Sequence, residues 1–319
     1  MKLLYSTVKA LEIYSLKSKH SGASFKKNLA SKLNTTFMPI RNGLGDIVKK
    51  GQGDKFEFES TIIDNSGKYQ QNIYYAFGER TETAISNCSE QVKPLSHINI
   101  NALFIPAKEV LTAFNDIRNI RDHDYGVGFD DTYRDLITSL DLPTTRGRIA
   151  TELSQVNKTL EDLFEGRIEQ TDKRELPFLF KKGKQRFAMQ MTAEGIKKIG
   201  ILTTLINNRQ LGKGTILFMD EPETALHPDA IRQMVEMLVA MSKAGVQIFV
   251  SSHSYFLIKQ FAICAKRDSL STMCWNLNKE NGIVKASFHD MQDGVLPQNT
   301  VIEEALKMFD DEIDLDLNS

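Results

Sequence analysis

Three cysteines in 319 residues, Cys88, Cys264 and Cys274, do not make an even disulfide framework, and none has metal-ligand spacing. A reducing compartment is therefore expected, and the expected localisation is cytoplasmic. Long apolar runs are missing too. No stretch approaches the roughly 18 apolar residues of a membrane span, and no apolar segment precedes a small-residue cleavage site near the start, so no membrane association is expected. Neither sign of charge is in excess: 40 basic residues face 41 acidic ones. That balance excludes a global pull towards nucleic acid, which would need a local patch. Internal repeats and low-complexity linkers are also lacking.

What is present is enough chain for one large α/β domain with an insertion, or for two lobes. Met1 to about Lys19 and Phe25 to Leu33 have helical periodicity, and Leu44–Val48 reads as a strand or helix edge. Lys55–Ile63 and Lys68–Phe77 alternate about a turn at Asp64–Gly67, which predicts a hairpin with one exposed face. Ala102–Ile105 reads as a short buried strand and Lys108–Asn119 as a helix. From Thr132 to about Gly166 the spacing is helical and the surface charged, as in an inserted helical subdomain. Phe178–Phe180 and Arg186–Met189 flank the basic run Lys181-Lys-Gly-Lys184, and Ala193–Asn208 predicts a strong amphipathic helix. Trp275–Leu277 and Ile283–Phe288 predict another hairpin. The expected organisation is residues 1–106 as an N-terminal lobe segment with hairpins, 107–177 as a helical insertion, 178–300 as the C-terminal lobe, and 301–319 as an acidic, solvated tail.

The chemistry concentrates in Thr215-Ile-Leu-Phe-Met-Asp-Glu-Pro-Glu-Thr-Ala-Leu-His-Pro228, an apolar strand ending in adjacent carboxylates and a proline. About 25 residues on, Val246–Ser254 repeats the pattern and ends in Ser-Ser-His-Ser. With a helix between them, two such strands belong in a parallel sheet that delivers Asp220, Glu221 and His253 to one edge. Asp220 suits Mg²⁺, which takes oxygen ligands and keeps several waters. Glu221 suits the activation of a water, and His253 a hydrogen bond to a terminal phosphate oxygen. A lone strand ending in Asp-Glu is as often an exposed turn; the histidine strand at this spacing is what favours a site. Upstream, Met191–Lys198 opens a helix with small residues, presenting free amides to an anion. The plainer alternative there is a capped helix, with Thr192 as N-cap and Glu194 in the first turn. The basic run near Lys184 reads as a solvated turn or a nucleic-acid backbone contact. His123, between Asp122 and Asp124, reads as solvent-facing, and Cys264 and Cys274 as core residues.

Three of these segments, Asp220–Pro228, Ser251–His253 and Ala193–Lys198, resemble the Walker B, switch-histidine and signature motifs of ABC-type ATPase heads. The resemblance is to bacterial AAA-type ATPases grouped with the SMC, RecF and overcoming-lysogenization-defect families. Phe104–Leu111, Gly128–Tyr133 and Leu44–Val48 extend it over about residues 1–290. It implies a P-loop NTPase sheet with an antiparallel β subsheet and an inserted helical subdomain. It also implies ATP and Mg²⁺ as cofactors, with Asp220 on the metal, Glu221 as base and His253 sensing the γ-phosphate. Ala225 to His227 would cross to a second subunit, and Ala193, Glu194 and Gly195 would meet the nucleotide held by that partner. Ala193 stands where such signatures often carry a serine hydroxyl. The implied partners are a second copy, in a dimer or higher oligomer, and a separate nuclease or toxin effector in anti-phage defence, with nucleic acid possible. The first strand and P-loop of the family are absent: the sequence enters at the helix expected after that loop. Gly43-Leu-Gly45 and Gly51-Gln-Gly53 lack the Lys-Ser/Thr that a P-loop requires. A non-catalytic scaffold with a degenerate nucleotide site, and a DNA-repair head of the RecF or SMC kind, stay open as alternatives.

Overall fold

The computed structural model describes residues 1–17, 24–40, 43–48, 55–64, 69–85, 87–95, 100–123, 128–144, 151–280 and 283–317. Helices α1 (Lys2–Lys17) and α2 (Phe25–Phe37) pack together, and a 3-10 turn follows at Gly43–Ile47. Strands β1 (Lys55–Ile63) and β2 (Gln70–Gly78) form the expected hairpin, to which β3 (Asn87–Cys88) adds antiparallel. Ile73, Tyr75 and Phe77 alternate onto one face of β2 and are buried against Leu11, Leu29 and Leu33. The period-2 pattern thus decides which face the first two helices cover. Most of the turn expected at Asp64–Gly67, and the Gly51–Gly53 pair, lie outside the described residues.

β4 (Asn101–Ile105) opens the central sheet, followed by α3 (Phe114–His123), α4 (Asp131–Leu140) and α5 (Thr151–Leu163). Helix α3 starts later than its apolar spacing predicts. Glu109 uses its carboxylate to accept the Thr112 N–H at 3.1 Å and to pair with Lys197, which holds the chain in a bend there. The side chain of His123 lies outside the described residues. β5 (Arg167–Gln170), β6 (Phe178–Lys182) and β7 (Gln185–Ala188) form an antiparallel sheet in that order, so pairing crosses the boundary expected at residue 177. Two charges of the basic run are matched locally: Lys181 pairs with Glu169, as does Arg186 beyond the run, and Lys182 pairs with Glu165.

α6 (Glu194–Asn207) runs through the interior, with all residues from Lys197 to Ile206 buried. At Gly200 an added Cβ would fall 2.2 Å from Cγ1 of Ile168, so only glycine lets β5 approach the helix this closely. β8 (Thr215–Asp220), α7 (Pro228–Lys243), β9 (Gln247–Ser251) and α8 (Tyr255–Asp268) complete the parallel sheet in the order β4-β8-β9. The register aligns Phe104, Phe218 and Phe249 across it, with ring centroids 6.4 and 5.1 Å apart. That face receives Tyr5 and Val8 of α1, while Leu103, Ile105, Leu217 and Met219 point into the larger core shared with α3 to α7. β9 is an edge strand among the described residues. Its Ile248, Phe249 and Val250 stay half-exposed, whereas Leu217, Phe218 and Met219 are buried.

β10 (Met273–Glu280) and β11 (Ile283–Asp290) pair as a hairpin, as expected. The chain then enters α9 (Thr300–Leu317), the segment expected as an acidic, solvated tail, which is exposed along nearly all its length but helical. Asn299 starts this helix: its Oδ1 accepts the Ile302 N–H at 3.0 Å, an N-cap that acidic content alone does not reveal.

Candidate functional site

The site lies where the parallel strands end. β8 and β9 pair through Asp220↔Ser251, so the residues after them leave the sheet side by side at its carboxyl edge, where α/β sheets bind ligands. Asp220 accepts a hydrogen bond from Ser251 Oγ. Glu221 donates its N–H to the Ser251 carbonyl at 2.9 Å, and its φ of 44° turns the chain sharply out of the strand. That turn sets Glu221 Oε1 3.4 Å from Nδ1 of His253, and both side chains are open to solvent.

The turn is held from below. Lys198 of α6 reaches up with Nζ 3.1 Å from the Glu221 carbonyl and is itself buried. Burial pushes its ammonium below the ordinary lysine range, against the pull of Glu223, Glu221, Glu194 and Asp220 around it. Glu223, which the sequence reading passed over, is 8% exposed. Its Oε1 accepts from Ser252 Oγ at 2.5 Å, and Ser252 Oγ in turn accepts the Ser254 N–H at 3.0 Å. Glu223 therefore ties the turn after β8 to the His253 segment. Its Oε2 is buried and has no partner among the described residues. The one sequence signal for it was a second carboxylate directly after the proline of Asp-Glu-Pro-Glu.

The loop from Glu221 to His227 closes with Thr224 N–H on the Glu221 carbonyl and Leu226 N–H on the Glu223 carbonyl. Ala225 within it is left-handed, with φ of 65°. His227 caps α7, its Nδ1 accepting the Asp229 N–H at 3.3 Å, and Pro228 occupies the first turn. The start of α6 sits against this loop: a Cβ on Gly195 would meet Leu226 Cδ2 at 2.8 Å and the Ala225 carbonyl at 3.4 Å. Ala193 occupies the N-cap position but makes no side-chain cap bond, and Thr192 donates instead to the Ala188 carbonyl. Without a capping oxygen, the first-turn amides of α6 suit an anion. Glu194 pairs with Lys197 at 2.7 Å, and Lys197 also meets Glu109 at 3.5 Å.

The structure thus brings Asp220, Glu221 and His253 together and stacks Gly195 on Ala225, with Ala193 and Glu194 at the same corner. His227 is engaged as a cap. The negative potential of Asp220 reaches Tyr133 of α4, whose hydroxyl is raised above its usual range first by burial and then by Asp130 and Asp220. Among the described residues no cluster of three metal-ligating side chains exists. A strand-end carboxylate is nonetheless the kind of oxygen donor that Mg²⁺ takes, with waters and phosphate oxygens as its other ligands.

A family model described as "AAA domain, putative AbiEii toxin, Type IV TA system" matches residues 94–259, which holds β4, α6 and both site strands. The chain is 44% identical over 48 residues to the Old nuclease of Escherichia phage P2, a stretch covering 15% of this chain and 8% of that protein. It is 36% identical over 50 residues to the energy-coupling factor transporter ATP-binding protein EcfA of Methanothermobacter thermautotrophicus, covering 16% of each. Both matches therefore span a small part of the relatives' length. A solved SMC head bound to the C-terminal winged-helix domain of ScpA superposes with a TM-score of 0.50 at 12% identity, covering 85% of this chain and 88% of that one. The fold is that of an SMC head.

Proposed function

The chain belongs to the AAA-domain family matched over residues 94–259, and from that membership we propose that it is an ATP-binding and hydrolysing head that signals to a partner. The observation that carries the reading is the Glu221–His253 pair, set 3.4 Å apart at the carboxyl ends of adjacent parallel strands. Asp220, oriented by Ser251, would hold Mg²⁺, which when bound neutralises charge on the phosphate oxygens. The Glu221 carboxylate takes the proton of the attacking water. His253 senses the terminal phosphate, and its contact to Glu221 links that sensing to the base. Lys198 and Glu223 hold the Glu221 backbone and the His253 segment in register.

The remaining contacts come from a second copy. Ala193, Glu194 and Gly195 present amides to the nucleotide of the partner subunit, and Ala225 to His227 cross between the heads. Their packing through Gly195 makes each half of the interface report on the other. A homodimer or higher oligomer follows, in which the nucleotide state is passed to a separate nuclease or toxin in cytoplasmic defence against phage. The β- and γ-phosphates also need a glycine loop with Lys-Ser/Thr, which residues 1–319 do not contain. A scaffold with a degenerate nucleotide site is the second reading, and ATP binding separates the two.

The test is Glu221→Gln in the protein supplied with its phosphate loop. ATP hydrolysis with Mg²⁺ falls to background, binding persists by calorimetry, and light scattering finds a nucleotide-locked dimer. Unchanged hydrolysis removes Glu221 as the base. Failure of the wild-type protein to bind ATP at all selects the scaffold.

A further inference from the structure

α9 leaves the body almost at once. Asn299 fixes its start, bonding Asn276 Oδ1 at 3.1 Å, and Ile302 packs into the small core around α8. Ile302 is the only buried residue of its 18. Beyond it, Leu306, Phe309 and Ile313 are 58%, 58% and 41% exposed. With Ile302 they recur at intervals of four, three and four residues, the a/d spacing of a helix that packs on another helix. The rest of α9 carries seven carboxylates against a single lysine, Lys307.

These features conflict in a free helix. An isolated segment of this length is marginal in water unless its apolar stripe is covered. Five of the carboxylates, Asp310, Asp311, Glu312, Asp314 and Asp316, also crowd the half nearest the C-terminus, and Asp314 and Asp316 lie in the last turn, where the helix dipole disfavours negative charge. A covering surface of opposite charge relieves both problems together. A second α9 does not, because Glu303, Asp310 and Glu312, in the positions flanking the stripe, would face their own kind.

We infer that α9 is a docking helix for a lysine- or arginine-flanked amphipathic helix of a different protein, which lays its apolar face on Leu306, Phe309 and Ile313. The inference does not depend on ATP hydrolysis.

The test uses the full 319-residue chain and two synthetic peptides of about three heptads, both with leucine at a and d. One carries lysine at the flanking e and g positions, the other glutamate. Calorimetry should find saturable binding of the lysine peptide, weakened on the order of tenfold or more in the Leu306→Asn, Phe309→Asn double variant. The glutamate peptide should not bind. The double variant should keep the wild-type melting temperature, since both side chains are exposed. Three results overturn the inference: no binding of the lysine peptide, equal binding to the double variant (charge attraction alone), or a dimer of the chain that the double substitution converts to monomer. In the last case α9 pairs with a second copy.

Discussion

Replacing Gly200 with alanine sets two known magnitudes against each other. In the interior of a helix, alanine is favoured over glycine by about 0.5–1 kcal/mol. The added methyl, however, would lie 2.2 Å from Ile168 Cγ1 and 3.1 Å from Cδ1. Carbon atoms in contact sit at about 3.5–4 Å, so α6 and β5 must part by more than an ångström. Ile168 is 9% exposed and β5 is pinned to β6 through Ile168↔Phe180, so the strand has little room to yield. Overpacking of this kind costs about 1–3 kcal/mol, which leaves a net loss of up to about 2.5 kcal/mol. Urea unfolding followed by circular dichroism reads it directly. In the Gly200→Ala background, Ile168→Ala should cost at least about 1 kcal/mol less than in the wild type, because the clash has gone. A shift of α6 also moves Lys198 from the Glu221 carbonyl, so hydrolysis should slow alongside. A Gly200→Ala protein more stable than wild type by the propensity term alone refutes the close packing of α6 on β5.

Lys198→Met keeps side-chain volume and removes a buried charge, so the melting temperature should hold or rise while hydrolysis falls; a stability loss above about 2 kcal/mol would contradict the desolvated lysine. Burial holds the native Lys198 pKa below that of the unfolded chain, so between those values the unfolded chain binds more protons and stability rises with pH. That slope, measured by urea unfolding on the alkaline side of neutrality, should flatten in Lys198→Met. Ala225→Val should destabilise by about 1–2 kcal/mol although the residue is exposed, because a β-branched side chain fits poorly at a φ of 65°. Cys264 is fully buried and its thiol is pushed up to about 11, so a thiol reagent near neutral pH should reach it only on unfolding.

The sequence made the central sheet legible because its strands are short apolar runs that end in unlike chemistry. Asp220-Glu221 and Ser251–His253 mark the strand ends, and parallel pairing brings them together. β5 was hidden because Arg167-Ile-Glu-Gln170 is short and charged and has one fully inward residue, Ile168, whose partner is a helix glycine 32 positions later. α9 was hidden because acidic composition outweighed its 4-3-4 apolar spacing. At the site, the strand-end groups were readable as residues. Their supports were not, because the roles of Lys198 and Glu223 come from burial and from contacts 23 and 29 positions away in the chain.

The half-exposed outer edge of β9 has a directional consequence. Its amides and carbonyls run parallel to β8 and finish beside Ser251 and His253. A strand from any source that added there in the same direction would end at that corner too, and whatever followed it would be launched over Asp220 and Glu221. Such an edge is a template for strand addition, and its apolar Ile248, Phe249 and Val250 reward coverage on both faces. Among the described residues the sheet is thus open on the side from which a new loop would reach its carboxyl end, and a polypeptide occupying that edge would cover Ile248, Phe249 and Val250 and crowd Asp220 and Glu221.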